Sequence, residues 1–192
     1  MTLWRRIEFL LHISRAHGIA RRYFFTNGYD GALTQLGVNM GFYGVEPVPA
    51  SVALGACMGA AVALSISGLT SAYISESEER KKELADLESA LVADLGETGY
   101  GQATRWVPLF VAGVNGLSPL LVSLFIMIPY GMELYGMPIA ASPERAAIAF
   151  AFIAIFLLGV LLGRVGGTFW LWTGLRALLI AAVTGGIILV LP

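Results

Sequence analysis

Long runs without a charged residue alternate with short charged segments along this chain of 192 residues. The uncharged runs are 31–45, 47–75, 106–132, 146–163 and 177–192. About 17–25 apolar residues cross the hydrocarbon core of a membrane, so the middle three runs are long enough as they stand. The first and last reach that length when they are extended to Asn27 and Trp172. The pattern predicts five transmembrane helices, roughly at 27–45, 49–72, 106–130, 146–163 and 173–191.

Helical patterning continues outside these runs in two places. Residues 1–26 place apolar side chains on one face and basic ones on the other, which predicts an amphipathic helix in the membrane interface. Residues 73–104 predict a helical, acidic extension of the second span into the cytoplasm, followed by a glycine-containing turn. Its apolar stripe consists of Leu84, Leu87, Leu91 and Leu95. We therefore expect residues 1–192 to form a single all-α membrane domain.

The distribution of basic residues predicts the orientation of the chain. Of the 12 Lys and Arg residues, only Arg145 falls on the second predicted side of the membrane. Because basic residues next to transmembrane helices stay in the cytoplasm, we expect a multi-pass protein of the cell (inner) membrane with its N-terminus inside and its C-terminus outside. The lipid bilayer is then its first partner. A net charge of -1 without a basic tract gives no sign of nucleic-acid binding, and one cysteine excludes an internal disulfide framework.

Asp30 is the one acidic residue within the predicted spans. A charged side chain in a membrane costs roughly 2.5–3.5 kcal/mol on insertion scales, so such a residue usually faces a cavity, a partner or an ion pathway. The alternative is that Asp30 caps the first span by accepting hydrogen bonds from free backbone amides. Polar residues that accompany it in the first and third spans complete a predicted ion pathway. The pathway candidates are Asp30, Thr34, Gln35, Asn39 and Asn115.

Three further carboxylates, those of Glu76, Glu79 and Glu83, follow the second span at helical spacing. Clustered oxygens suit divalent cations, so these residues and Asp30 are candidate metal ligands. The alternative is a solvated face that the neighbouring basic residues neutralise. Those neighbours are Arg80, Lys81 and Lys82.

Pairs of glycines four residues apart occur in three of the predicted spans. Such pairs let helices approach closely and make a homodimer plausible, without identifying its seam. The pairs are Gly37 with Gly41, Gly55 with Gly59, and Gly159 with Gly163.

Several of these segments, taken together, resemble the vacuolar iron transporter family. The amphipathic opening and first span read HGIARRYFFTNGYDGALTQLGVNMGF, and the exit from the second span reads SGLTSAYISESEERKKELADLE. The later spans contain VNGLSPLLVSLFIMIP and FLLGVLLGRVGG. The likeness covers nearly the whole chain and is strongest to a short prokaryotic branch of the family.

The resemblance implies a dimeric five-span antiporter that exchanges protons for ferrous or similar divalent ions and moves metal out of the cytosol. It implies a pathway between the first and second spans at the dimer interface, with Asp30 as an ion or proton ligand. The glutamates at 76, 79 and 83 correspond loosely to the family's cytoplasmic metal-collecting residues. Two positions depart from the family: Ala72 stands where a glutamate is usual, and Gly68 where a methionine is usual.

We therefore expect a transporter for iron- or manganese-type ions, with the metal as substrate, no permanently bound cofactor and no enzymatic activity. The first alternative is a membrane scaffold, or a metal-binding or metal-sensing membrane protein, that does not transport. A membrane enzyme acting on lipid headgroups is the second alternative. A single membrane aspartate without a nearby histidine argues against that enzyme.

Overall fold

Helices account for every regular element in the residues that the computed structural model describes, which are 16–43, 48–137 and 142–190. In chain order they are α1 (Ala16–Tyr43), α2 (Ala50–Leu91), α3 (Gly99–Ile126), α4 (Ile128–Leu134), α5 (Pro143–Val165) and α6 (Trp170–Val190). The all-α prediction is therefore confirmed for this part of the chain. Residues 1–15 of the expected amphipathic helix lie outside the described residues.

Four helices are long and apolar enough to cross a membrane, namely α2, α3, α5 and α6. The prediction of a membrane protein with transmembrane helices is confirmed at this level. The helix α1 does not join them, because Asp30, Gln35 and Asn39 dilute its apolar residues. The fifth span predicted at 27–45 falls mostly within α1 and stays a prediction.

The helix α1 continues without a break from Ala16 to Tyr43. The sequence pattern had divided this stretch near residue 26 into an interfacial helix and a span. No proline lies within α1, so every backbone amide beyond its first turn can bond to a carbonyl four residues earlier. The change from charged to apolar residues therefore occurs inside one helix and does not mark its end.

The helix α2 is 42 residues long, which corresponds to about 63 Å at 1.5 Å per residue. A hydrocarbon core is only about 30 Å thick, so α2 must extend well beyond one membrane surface. The expected helical continuation of the second span is therefore observed as far as Leu91, and its cytoplasmic location stays a prediction.

The end of α2 has an unusual backbone conformation. Val92 follows the last helical residue with a φ of 50°, in the left-handed region where glycine is the usual residue. The amide of Ala93 donates a hydrogen bond of 3.2 Å to the carbonyl oxygen of Glu88, which closes a Schellman-type turn. A β-branched side chain is disfavoured at such a φ, so this turn is strained.

The chain divides into two compact units, each of which is described by itself. The first comprises residues up to Phe24 together with 65–117, and the second comprises 25–64 together with 118–192. In the first unit, small residues of α1 pack against α3. This core consists of Ala16, Ala20, Ala103, Val107 and Val111. The single domain expected over 1–192 stays a prediction.

Leu84 and Leu87 of the predicted apolar stripe line a small cavity in the first unit, together with Tyr100 and Ala103 of α3. Leu91, one turn further along the stripe, is 62% exposed. The stripe thus lies beside the start of α3 at Leu84 and Leu87, whereas Leu91 is exposed and Leu95 is half-buried.

The second unit contains a tightly packed hairpin of α5 and α6. A Cβ on Gly159 would lie 2.8 Å from the Cβ of Ala177, and one on Gly163 would lie 2.9 Å from the Cα of Trp170. Only glycine permits backbones to approach this closely. One of the three predicted glycine pairs is therefore used for packing within the chain.

Candidate functional site

Asp30 lies in the interior of α1, because this helix already includes Ala16 and continues to Tyr43. Only the first four amides of a helix lack an intrahelical acceptor, and Asp30 is several turns beyond them. The alternative that Asp30 caps the first span is therefore wrong. The sequence alone could not exclude it, because the Asn-Gly-Tyr-Asp-Gly segment favours a turn as readily as a helix.

The close contacts of the glycines near Asp30 show which part of α3 lies beside it. A Cβ on Gly31 would lie 2.8 Å from the Cα of Pro119, and one on Gly28 would lie 3.0 Å from the Oγ of Ser118. Pro119 is the central residue of the uncharged run 106–132. Asp30 is therefore level with the middle of the apolar part of α3.

The carboxylate of Asp30 is exposed on the surface of the single chain. It makes no hydrogen bond or ion pair with the other residues that the structure describes. Thr34, one turn further along α1, is half-buried. An exposed carboxylate at mid-depth would face lipid in an isolated chain, which is unfavourable by a few kcal/mol. We therefore expect this face of α1 to contact protein or water and not lipid.

Gln35 and Asn39 are fully buried and connect three helices of the second unit. The Gln35 Nε2 donates to the carbonyl oxygen of Cys57 on α2 at 2.9 Å. The Asn39 Nδ2 donates to the carbonyl oxygen of Gln35 at 2.7 Å, and the Tyr130 hydroxyl of α4 donates to the Asn39 Oδ1 at 2.5 Å. The structure therefore places these two predicted pathway residues in a buried polar network, away from the exposed face of Asp30.

Two buried polar atoms of the second unit have no hydrogen-bond partner among the described residues. They are the Oε1 of Gln35 and the Oγ of Ser123. Buried polar groups in proteins are nearly always paired, often through an ordered water. Tyr130 belongs to the polar network, and Ser123 is a buried polar residue of the same unit. Neither was found from the sequence, because nothing in their spacing distinguishes them from residues that pack against lipid.

Asn115 belongs to the first unit and joins α3 to α2. Its Nδ2 donates a hydrogen bond of 2.7 Å to the carbonyl oxygen of Gly68, and its side chain is buried. A Cβ on Gly68 would lie 3.3 Å from the Asn115 carbonyl oxygen, and one on Gly116 would lie 2.8 Å from the Ser65 carbonyl oxygen. The close approach explains why glycine stands at 68, where the resemblance leads one to expect methionine.

The three glutamates that follow the predicted second span differ in their environments. Glu76 is buried at 2% exposure, Glu83 has a side chain 51% exposed, and Glu79 is exposed on the surface. The guanidinium of Arg80 lies between two of them, 2.6 Å from the Glu83 Oε2 and 3.7 Å from the Glu76 Oε2. Arg80 thus occupies the position from which a cation would bridge these two carboxylates.

Burial raises the pKa of Glu76 above its usual value, and the positive charges of Arg80 and Arg22 oppose that rise. The buried Oε2 of Glu76 and the Nε of Arg80 make no hydrogen bond within the described residues. The pair is therefore only partly satisfied by hydrogen bonds among the described residues, and it lies within α2 just beyond the predicted second span.

Among residues 16–43, 48–137 and 142–190, no three His, Cys, Asp or Glu side chains come together as a group that could hold a metal ion. The metal-ligand role of Asp30, Glu76, Glu79 and Glu83 stays a prediction. For Glu76 and Glu83, that role requires Arg80 to move aside.

Comparison of the chain with models of protein families, with curated proteins and with solved structures finds no match. The likeness to the vacuolar iron transporter family therefore rests on the quoted sequence segments alone. Any function must be argued from the residues and their geometry.

Proposed function

We propose that this protein transports divalent transition-metal cations of the iron or manganese type across a membrane, with protons moving in exchange. The observation that carries the proposal is the Asp30 carboxylate, exposed on α1 and level with the middle of the apolar part of α3. Ionisable groups at such a depth usually serve ion or proton pathways. Carboxylate oxygens suit divalent cations such as Mn²⁺. The outward direction of transport, from the cytosol, is what the resemblance to the vacuolar iron transporter family implies.

A homodimer is the second part of the proposal, and the glycine pair on α2 supports it. Around Gly55 and Gly59, no atom of the described residues lies within 4 Å of the position that a Cβ would take. These glycines belong to a series of exposed small residues, each four positions after the last. The series is Ser51, Gly55, Gly59 and Ala63. Such a ridge suits close approach of a helix from a second copy.

The dimer provides the cover that Asp30 needs. Gln35 bonds to Cys57, so α1 and α2 are held together in this unit, and a seam along α2 lies beside α1. Two copies would bring two Asp30 carboxylates to one interface, and their charge balances that of one divalent cation.

Metal flux into proteoliposomes tests the role of Asp30. We expect Asp30→Asn to abolish uptake of Fe²⁺ and Mn²⁺, because the amide cannot balance the charge of the cation. Glu144→Gln, at the first turn of α5, serves as the control and should retain the flux of the natural protein. Unchanged flux in Asp30→Asn would remove this residue from the pathway. Metal binding without any flux in the natural protein would favour the scaffold or sensor.

The oligomeric state tests the seam separately. We expect Gly55→Leu to shift the protein from dimer to monomer in detergent, since a side chain there enters the ridge and its Cβ meets open space in the single chain. Gly131→Leu is the control, because its Cβ position is equally open but lies on α4. A dimer that persists in Gly55→Leu and dissociates in Gly131→Leu would place the seam elsewhere.

A further inference from the structure

Two arginines flank the turn between α5 and α6, one in the last turn of α5 and one in α6, and no acidic side chain of the described residues pairs with them. No Asp or Glu occurs from residue 146 to residue 192, whereas Arg164 and Arg176 both lie there. Neither arginine forms an ion pair with an acidic side chain elsewhere in the described residues. By contrast, the basic residues Arg80 and Lys81 on α2 each have a glutamate partner.

Both guanidinium groups rest on tryptophan rings. The Cζ of Arg164 lies 5.4 Å from the centroid of the Trp170 ring, and the Cζ of Arg176 lies 5.4 Å from that of Trp172. Trp172 precedes Arg176 by one turn, so the arginine side chain points back toward the start of α6. This is the direction in which a long basic side chain reaches the membrane surface. The stacking holds both cations in place without neutralising them.

The position of the turn determines which chemical groups surround the two guanidinium groups. Both α5 and α6 are apolar enough to span a membrane, so the residues that join them lie at a membrane surface. Every residue from 164 to 172 is exposed. Tryptophan prefers the level of the lipid headgroups, which places both stacked arginines among headgroup phosphates.

The local structure of the turn is well defined. The Thr168 Oγ1 donates to the carbonyl oxygen of Gly163 at 3.3 Å and lies 3.1 Å from the Thr173 Oγ1. The close packing of Gly163 against Trp170 fixes the two helices beside this turn. Arg164 and Arg176 are therefore presented from a rigid hairpin, and little ordering is needed when a ligand binds.

We propose that the α5–α6 turn is a binding surface for the headgroup phosphate of anionic phospholipids. The guanidinium group matches a phosphate with two parallel hydrogen bonds, and its planar face remains stacked on the ring. The anionic lipid supplies the negative charge that the segment from 146 to 192 lacks.

Native mass spectrometry of the full-length protein tests the proposal, with phosphatidylglycerol and phosphatidylcholine of identical acyl chains as the probes. We expect the natural protein to retain phosphatidylglycerol preferentially. The double variant Arg164→Gln with Arg176→Gln should lose that preference by about tenfold or more, because each charged contact contributes on the order of a factor of ten. Arg145→Gln is the matched control, since Arg145 also stacks on an aromatic ring, that of Tyr43 at 5.5 Å, but has Glu144 beside it.

A second pair of measurements separates charge from geometry and lipid from free phosphate. The double variant Arg164→Lys with Arg176→Lys keeps both charges and should retain part of the preference for phosphatidylglycerol. If the glutamine variant folds poorly, this lysine variant provides the test in its place. Inorganic phosphate at equal concentration should not displace the lipid. The proposal is overturned by equal retention of the two lipids in the natural protein. It is also overturned by an undiminished preference in the glutamine variant, by an equal loss in Arg145→Gln, or by displacement with inorganic phosphate.

Discussion

The hydrogen bond between Tyr130 and Asn39 offers the most direct test of the buried polar network. Tyr130→Phe removes the hydroxyl that donates to the Asn39 Oδ1 and keeps the ring that fills the site. Both side chains are buried, so the Oδ1 would lose its donor and gain no water in exchange. A buried acceptor without a partner costs about 1–3 kcal/mol, while interhelical hydrogen bonds in membrane proteins average about 0.6 and reach about 1.7 kcal/mol.

We therefore expect Tyr130→Phe to lower the free energy of unfolding by about 1–2 kcal/mol. For a chain of this size, each kcal/mol lowers the melting temperature by about 2–4 °C, which thermal unfolding in detergent can resolve. Tyr43→Phe is the control, because that ring is 46% exposed and its hydroxyl is not part of the network; it should change stability by less than about 0.5 kcal/mol.

A double-mutant cycle decides whether the two residues act as a pair. Asn39→Leu should destabilise by itself, and the combination with Tyr130→Phe should cost less than the sum of the two single changes. The reasoning is refuted if the two effects are additive within about 0.3–0.5 kcal/mol, or if Tyr130→Phe matches the natural protein.

Two further changes test α2, one directly after its last residue and one within it. Val92→Gly should stabilise the protein by about 0.5–1 kcal/mol in thermal unfolding, because glycine adopts the φ of 50° without strain. This value allows for the greater flexibility of glycine in the unfolded chain, which offsets part of the gain. Ala93→Gly is the control and should not stabilise, because there is no such strain to relieve. Glu76 has a pKa raised above 4.5 by burial, so the native state holds its proton more tightly than the unfolded chain does. The free energy of unfolding should therefore fall as the pH rises through the interval above 4.5, and Glu76→Gln should remove that part of the slope. A melting temperature with the same pH dependence in both proteins would contradict the burial of this carboxylate.

The position of Asp30 changes how the rest of the predicted pathway is viewed. The sequence grouped it with Gln35, Asn39 and Asn115 because all are polar residues in apolar runs. In the structure, the three amides bond to backbone or side-chain atoms of neighbouring helices, while the carboxylate stands exposed. The three amides therefore hold the helices together. Of the predicted pathway residues, only Asp30 and Thr34 remain accessible to an ion in the described part of the chain.

The sequence by itself predicted an all-α chain with five spans and a long helical continuation of the second; the helical class, four helices able to cross a membrane and the continuation are confirmed in the described residues. These properties are local, because hydropathy and helix propensity depend on residues within a few turns of one another. The same reasoning could not tell which glycine pair packs within the chain. A Cβ on Gly159 or Gly163 would meet α6, whereas one on Gly55 or Gly59 would meet no described atom within 4 Å outside its own stretch of helix.

Tertiary structure alone decided which part of α3 lies beside Asp30, and the burial of Gln35 and Asn39. Each depends on which residue of a distant helix lies opposite, such as Pro119 beside Gly31. Periodicity shows which residues share a face, but the neighbour of that face is set by packing between segments far apart in the chain. A polar residue in an apolar run can therefore be recognised from the sequence. Whether it forms a hydrogen bond between helices or stands as an exposed charge can be read only from the tertiary structure.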